Sequence, residues 1–271
     1  MSRIRNALTF TVFILAGLTQ ARSQVCGLSG SKLNSSCGEV IDLHSLEFEI
    51  LYAFEKSVSG WDRNGTLTPL NGDGREAAIG SGLFFRMTFG ALRNTEIGAT
   101  VDREAEEASL GIKWMPYRQG ATSLAVAGGM KFGFGETLFH PVSERTSVPS
   151  SVSGALLLSQ EITPSVSVDM NAGYSIPVAG ELIPSHGCLN LCFDWGWFLF
   201  DGSLQAVLGT GFRSGFSPEE HERFSLLTLY PGFIVTAGHN FEILVAMPHD
   251  LYGINHPRSK SVICALTLMM Q

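Results

Sequence analysis

A hairpin predicted over residues 191–213 places the strongest constraint on the fold of this chain. Asp201-Gly202 at its centre is the pair typical of a two-residue type I′ turn, in which both positions have positive φ. On either side, large apolar side chains alternate with small or polar ones, and a period of two places each set on its own face of a sheet. The apolar face would pack on a second sheet in a soluble β-protein, but in an outer-membrane barrel it would contact lipid. The large apolar set is Leu191, Phe193, Trp195, Trp197 and Leu199 before the turn and Leu204, Ala206, Leu208 and Phe212 after it.

The same alternation recurs along most of the chain. From Ser45 onward, apolar residues alternate with polar positions that include the carboxylates of Glu47, Glu49 and Glu55. Such a strand can have one face in hydrocarbon and the other in water, but not both faces in hydrocarbon. Most of the predicted strands have the roughly 9–11 residues that a tilted strand needs to cross a bilayer. Eleven further strands are predicted at about 77–89, 94–102, 107–116, 122–133, 151–162, 165–175, 191–200, 203–213, 223–234, 240–248 and 260–270.

The connections between these strands sort by length. Short turns alternate with long polar connections, and only the link at 103–106 is short where a long one is expected. Bacterial barrels have short periplasmic turns and longer outer loops, whereas a soluble β-sandwich has no reason to sort its loops by end. The chain is therefore predicted to be all-β, an antiparallel transmembrane β-barrel of about twelve strands with both termini in the periplasm. The long connections are predicted near 57–76, 134–150, 176–190, 214–222 and 249–259.

Residues 1–23 are predicted to be a cleaved signal peptide. Arg3 and Arg5 precede a short apolar stretch, and Ala21 and Ser23 are small residues at positions −3 and −1 of a cleavage site. Export by this route, together with a barrel, predicts the outer membrane of a Gram-negative bacterium and insertion by the barrel-assembly machinery.

The mature chain is predicted to form one domain. Residues 24–44 lack periodicity and are predicted to be an N-terminal lead-in to a barrel over residues 45–271. The composition is 45% hydrophobic and 16% charged, yet no mature segment has 18 or more uninterrupted apolar residues, so no transmembrane helix is predicted.

The charge of the chain argues against a nucleic-acid partner. The precursor has 18 basic and 25 acidic residues, and loss of Arg3, Arg5 and Arg22 with the signal peptide leaves 15 against 25, a net charge of −10. No basic patch is available to neutralise phosphates.

The five cysteines allow two interpretations. Export permits disulfides, and local pairs are conceivable between Cys26 and Cys37 and between Cys188 and Cys192, with Cys264 facing lipid. Alternatively, all five are unpaired small residues. Neither pair has a second Cys or His pair at metal-site spacing, so no metal site is predicted.

The polar faces of the predicted strands supply the candidate site residues. In a barrel these side chains line the lumen, and six carboxylates against three cations would disfavour anions in a pathway. The alternative is a salt-bridged filling that keeps a narrow lumen closed. The lumen-lining candidates are Glu47, Glu49, Arg86, Glu96, Lys113, Lys131, Asp169, Asn171, Asp194, Gln205 and Glu242.

The sequence contains no signature of an enzyme. It has no Gly-x-Ser-x-Gly elbow, no P-loop and no dinucleotide-binding fingerprint. We therefore predict no catalytic residues and no cofactor.

The C-terminal stretch from Met247 to Leu268 resembles a known family. A strand, then Pro248, Leu251, Gly253 and Asn255, then a final alternating strand is similar to the outer-membrane transporters of the phenol meta-pathway. The resemblance implies a twelve-stranded barrel that passes small, often apolar organic compounds, with no agreed binding residues. One departure is the C-terminal Gln271, where such barrels usually end on an aromatic residue.

The sequence thus predicts passive passage of a small organic solute, hydrophobic or aromatic in the family that the chain resembles, with outer-membrane lipid as the surrounding partner. Two alternatives stay open. One is a closed structural or adhesive barrel that binds through its long outer loops. The other is a lipid hydrolase embedded in the barrel, for which no local motif is present.

Overall fold

The chain folds into one closed β-barrel. The computed structural model describes residues 28–29, 32–70, 78–103, 107–134, 150–179, 186–217, 223–238 and 240–270, and the predicted signal peptide lies outside these ranges. The strands are β1 (Leu46–Trp61), β2 (Leu67–Pro69), β3 (Ala78–Leu92), β4 (Thr95–Asp102), β5 (Glu107–Gln119), β6 (Thr122–Gly133), β7 (Ser150–Thr163), β8 (Val166–Ala179), β9 (Gly187–Leu199), β10 (Leu204–Phe216), β11 (Phe224–Ala237), β12 (Phe241–Ala246), β13 (His249–Ile254) and β14 (His256–Met270).

Pairing of the first and last long strands closes the sheet. From Leu46 paired with Met270 to Trp61 paired with His256, β1 and β14 run antiparallel along their full lengths. Between them, β1 pairs antiparallel with β3, and from β3 to β11 each strand pairs antiparallel with the next in sequence. β12 and β13 lie end to end between β11 and β14 and share one position in the wall, while β2 adds three residues beside the outer end of β1. The wall therefore has twelve strands, as predicted.

The alternation in the sequence separates the two faces of the wall. Along β1, Glu47 and Glu49 are buried on the inner side, whereas Tyr52 and Phe54 are exposed on the outer side. The exposed outer face is apolar on every long strand, as a lipid-facing wall requires. No helix among the described residues is long and apolar enough to cross a membrane.

Both ends of the described barrel wall lie at one rim, where β1 begins and β14 ends; we call this the periplasmic end. The turns at this rim are short, at 93–94, 120–121, 164–165, 200–203 and 238–240. The connections at the opposite, outer rim are generally longer, as in bacterial barrels. The exceptions are the link at 103–106 and the turn at Asn255.

Two local predictions were wrong. Residues 249–259 are not a loop: β13 and β14 run through them and meet at Asn255, which has a φ of 51°. Pro248 has no backbone N–H and so ends β12, but the wall resumes one residue later because Asp250 and Gly253 pack inward. The Asp201-Gly202 turn has four residues rather than two, since Leu199 pairs with Leu204 and Phe200 also adopts positive φ.

Two separate clusters of buried apolar residues lie inside the barrel. One cluster covers β5, β6 and β7, and the other covers β10, β11, β12 and β14. Each cluster includes one leucine from the chain before β1, Leu28 in the first and Leu33 in the second. The interior is therefore packed partly by residues that precede the barrel wall.

Candidate functional site in the lumen

The described residues before β1 lie inside the barrel. We call residues 28–29 and 32–44 the N-terminal segment. It forms hydrogen bonds with side chains of β3, β4, β5, β7, β8 and β9 and with a backbone carbonyl of β10. Only a position in the lumen allows contact with strands on opposite sides of the wall. The segment enters at the periplasmic end, where the His44 N–H donates to the Gly90 carbonyl oxygen (2.8 Å).

Asp194 on β9 forms the densest set of contacts with this segment. Its Oδ2 accepts hydrogen bonds from three consecutive backbone N–H groups, those of Leu33 (3.0 Å), Asn34 (2.8 Å) and Ser35 (2.9 Å). The Ser35 hydroxyl donates a fourth (2.8 Å). The side chain of Asp194 is fully buried, and its Oδ1 has no hydrogen-bond partner among the described residues. One carboxylate thus fixes the turn at residues 33–35.

Asp169 lies directly opposite Asp194 in the antiparallel pair of β8 and β9. Its Oδ2 accepts from the Lys32 ammonium at 2.7 Å, in an ion pair with both side chains less than a tenth exposed. Its Oδ1 accepts from the Ser159 hydroxyl at 2.5 Å. Two carboxylates that face each other across a ladder repel one another, so Lys32 offsets the charge at this point of the wall.

Glu96 on β4 and Lys113 on β5 form a second buried anchor. Their side chains are fully buried and joined at 3.0 Å. Glu96 also accepts from the backbone N–H of Ser29 (2.7 Å) and of Ile41 (2.9 Å). Lys113 donates to the Ser29 carbonyl oxygen (3.2 Å) and to the Cys37 carbonyl oxygen (3.3 Å). The two ends of the N-terminal segment therefore meet at one ion pair.

Arg86 on β3 bridges two carboxylates of β1. Its Nη2 lies 2.6 Å from Glu47 and 3.0 Å from Glu49, and its Nη1 donates to the Leu28 carbonyl oxygen at 2.8 Å. All three side chains are buried. The guanidinium thus links the wall to the beginning of the described segment.

The other candidates also have their side chains on the inner face. The amide of Asn171, turned to match its neighbours, donates to the Ser36 carbonyl oxygen at 2.8 Å. The remaining three contact the wall: Lys131 pairs with Glu107 at 3.6 Å, Gln205 donates to the Ser167 hydroxyl at 3.4 Å, and Glu242 accepts from the Thr236 hydroxyl at 3.4 Å. The eleven predicted residues are thus distributed around one interior, and those on β3, β4, β5, β8 and β9 hold the segment.

Glycines on β9, β10 and β11 make room for the segment. A Cβ on Gly196 would lie 2.7 Å from Cε of Lys32, and one on Gly211 would lie 2.7 Å from Nδ2 of Asn34. A Cβ on Gly232 would lie 2.9 Å from Cδ1 of Leu33. At Gly196 and Gly232 a Cβ would come still closer to the wall itself, to Gln205 and to the Val245 carbonyl oxygen, so Gly211 is the position whose first neighbour is the segment.

The sequence pattern did not indicate that the N-terminal segment is part of the site. Ser29, Lys32, Leu33 and Ser35 belong to a stretch without periodicity, and their partners are distant in sequence. The only available signal was the single basic residue Lys32 before an acid-lined barrel.

A further cluster of polar residues, in the outer half of the lumen, was not among the predicted lumen-lining residues. Asp250 accepts from the Thr228 hydroxyl (2.7 Å) and from the Ser259 N–H (2.8 Å). The Arg213 guanidinium lies 5.8 Å from the centroid of the Phe224 ring. These residues belong to the segments predicted as loops or strand ends.

Cys37, Cys188 and Cys264 are free thiols. Cys188 and Cys192 lie four residues apart on β9, which separates their Cα atoms by about 13 Å at strand spacing, well beyond disulfide reach. Burial raises the pKa of the Cys37 thiol to about 11, and this thiol donates to the Glu39 carbonyl oxygen. Cys264 is exposed on the outer face. Cys26 lies outside the described residues.

No group of three His, Cys, Asp or Glu side chains that could hold a metal ion occurs in the described part of the chain.

Solved structures of outer-membrane barrels share this architecture. An outer membrane channel from Pseudomonas putida F1 superposes with a TM-score of 0.67 at 8% identity, over 86% of this chain and 97% of that chain. The NanC porin gives 0.56 at 4% identity, over 82% and 98% of the two chains. The KdgM porin gives 0.52 at 7% identity, over 82% and 99%. This chain is a β-barrel of the bacterial outer membrane.

At these identities the likeness to the solved barrels shows the fold alone. A scan against protein-family models finds no match, and a search of curated proteins finds no significantly similar sequence. The three solved barrels named above are an outer membrane channel and two porins.

Proposed function

We propose that this barrel gives small organic solutes passive passage across the outer membrane, without energy coupling and without chemistry. The observation that carries the proposal is the closed barrel with a charged inner wall and an apolar outer wall. The likeness to an outer membrane channel and to two porins supports it. Barrel size fits as well, since twelve strands lie between the filled eight-stranded barrels and the wide porins.

The inner wall favours solutes that are neutral or cationic and partly apolar. Carboxylates outnumber cations among the inward-facing residues, which disfavours anions. Two apolar patches of the inner wall, one on β5–β7 and one on β10–β12 with β14, are covered by Leu28 and Leu33. Passage of apolar or aromatic compounds, as the resemblance to the phenol meta-pathway family implies, would use such patches.

Passage through this lumen requires that the N-terminal segment moves. The segment fills the periplasmic half of the interior and has hydrogen bonds to walls on both sides. The same observation favours a second candidate function, a closed barrel that acts by binding partners through its outer loops. The two functions differ in one measurable property, which is conductance.

The decisive experiment is conductance and solute uptake of the mature protein, residues 24–271, in planar bilayers and liposomes. Single-channel steps, or swelling of liposomes with a small organic solute, would establish passage. Passive passage would be overturned in favour of loop-mediated binding if the folded, inserted protein neither conducts nor admits solute both with the N-terminal segment present and with it removed. A lipase assay on the same preparation tests the hydrolase alternative.

A further inference from the structure

The pair Asp169 and Asp194 is compensated by the chain's own N-terminal segment. The two residues are register partners on β8 and β9, and both face inward. Asp169 pairs with Lys32, and Asp194 accepts from the N–H groups of residues 33–35. Directly opposed carboxylates are unfavourable unless a positive partner lies between them. If the segment leaves, this compensation leaves with it.

The cations of the barrel wall near this pair are engaged elsewhere. Arg86 pairs with Glu47 and Glu49, while Lys113 pairs with Glu96. Lys131 pairs with Glu107 on the neighbouring strand. Arg213 on β10 lies against the Phe224 ring, four residues nearer the outer rim than Gly209, which pairs with Asp194. With the segment gone, a positive charge from outside the wall would therefore be the favourable partner of the Asp169–Asp194 pair.

The bound segment shows what kind of ligand fits there. Lys32 supplies an ammonium at 2.7 Å from Asp169. The next residue, Leu33, packs against an apolar patch that includes Val207, Tyr230 and Ile234. The segment thus presents an ammonium group and an apolar side chain on two consecutive residues. Oδ1 of Asp194 is a further buried acceptor without a partner among the described residues.

The wall beneath these residues is shaped for a ligand. A Cβ on Gly211 would meet Nδ2 of Asn34 first, whereas Cβ atoms on Gly196 and Gly232 would meet Gln205 and the Val245 carbonyl oxygen of the wall before Lys32 and Leu33. With the segment removed, the wall at Gly211 is therefore left open between the two carboxylates and the apolar patch. This opening combines negative charge with an apolar floor, as recognition of an organic ammonium requires.

We infer that Asp169, Asp194 and the apolar patch at Val207, Tyr230 and Ile234 form a binding site for small organic cations, in particular ammonium compounds with an apolar or aromatic body. In the closed barrel the N-terminal segment occupies this site as an internal stand-in for the solute. Displacement of residues 32–35 opens the lumen and uncovers the site in one step. The inference rests on the proposed passive passage and names the solute class.

The test compares three proteins in planar bilayers: the wild type, a variant lacking residues 28–41, and that deletion combined with Asp169→Asn and Asp194→Asn. The probe is 2-phenylethylammonium, and 3-phenylpropionate is the control with a similar apolar body and opposite charge. The deletion should conduct steadily and prefer cations. 2-Phenylethylammonium should reduce its current with saturation, and the two Asn substitutions should weaken that effect about tenfold or more.

Lys32→Gln in the otherwise intact chain provides a second test that does not depend on folding of the deletion variant. It removes the ammonium but keeps the segment that fills the lumen, so we expect more frequent openings than in the wild type. Heat-modifiable migration in gels checks that each variant has a folded barrel.

The outcomes separate this inference from the proposed function. If the folded deletion conducts but 2-phenylethylammonium and 3-phenylpropionate act alike, the cation site is wrong and passive passage stands. If the Asn substitutions leave the block unchanged, the site is likewise wrong. If the folded deletion is silent, passive passage itself is overturned.

Discussion

At the scale of single residues, the interior of the barrel is held by charges that are both paired and multiply hydrogen-bonded. Glu96 and Lys113 have no exposed surface, and the backbone of Ser29, Cys37 and Ile41 satisfies their remaining groups. Taking two charges out of water is costly, and only such a complete set of partners offsets the cost. Removal of one partner should therefore be far more damaging than removal of an ion pair at the surface.

We expect Glu96→Gln to destabilise the folded barrel by about 3–5 kcal/mol, because it leaves the Lys113 ammonium buried without its carboxylate. The measurement is the free energy of unfolding from urea titration in lipid vesicles. Glu39→Gln is the matched control, since the ion pair of Glu39 with Arg118 is about half exposed and should contribute no more than about 1 kcal/mol. Equal effects of the two substitutions would contradict the buried anchor.

At the scale of elements, the N-terminal segment differs from every strand in how the sequence encodes it. A strand is recognisable by a period of two in hydrophobicity, because one face contacts lipid and the other contacts the interior. The segment has only interior around it, and its partners include a carboxylate 159 residues away. No local pattern encodes such contacts. The aperiodic sequence therefore predicted an irregular stretch before the barrel, but not that this stretch lies in the lumen.

Gly211 on β10 offers a direct test of the segment as an obstruction. A Cβ at this position would lie 2.7 Å from Nδ2 of Asn34, so Gly211→Val should press residues 33–35 off the wall. Overpacking of this kind costs about 1–3 kcal/mol, which raises the ratio of open to closed channels about 5- to 150-fold in bilayer recordings.

Gly128→Val is the matched control for Gly211→Val. A Cβ at Gly128 would have no neighbour closer than the Ser153 carbonyl oxygen at 3.8 Å, so the same change of side chain should leave the conductance as in the wild type. If Gly211→Val also conducts as the wild type does, the segment is not the obstruction.

At the scale of the whole molecule, the apolar exterior determines where the barrel resides. Apolar side chains on the outer face of strands all around the wall are more than a third exposed, which is tolerable only when lipid covers them. Representative outer residues are Tyr52, Met87, Ile112, Leu156 and Leu266.

Ile50→Arg tests this exterior. Ile50 lies on the same face of β1 as Tyr52, and a charge there should cost about 2–4 kcal/mol if the site is near the bilayer midplane. Ile50→Leu, which keeps the apolar surface, should be close to neutral. The readout is the free energy of unfolding in lipid vesicles, and a near-neutral Ile50→Arg would place solvent rather than lipid on this face.

The barrel as a whole was predictable, while details at its rims were not. The twelve strands and the inner face of Asp169 or Glu96 follow from alternation alone. The prediction failed at 249–259 because Pro248, Gly253 and Asn255 are typical of loops, whereas here they produce a break and a tight hairpin within the wall. Trp61 packs against Gly253 across the outer rim, and such a contact between distant segments has no signature in either one.

The pairing of β1 with β14 also has a consequence for how the molecule is built. The N-terminal segment is synthesised before any strand that it contacts, whereas the wall cannot close until the last strand is complete. A barrel that closed with its first residues outside would enclose two facing carboxylates, Asp169 and Asp194, and two uncovered apolar patches. We therefore expect the segment to lie between the strands before β1 and β14 pair.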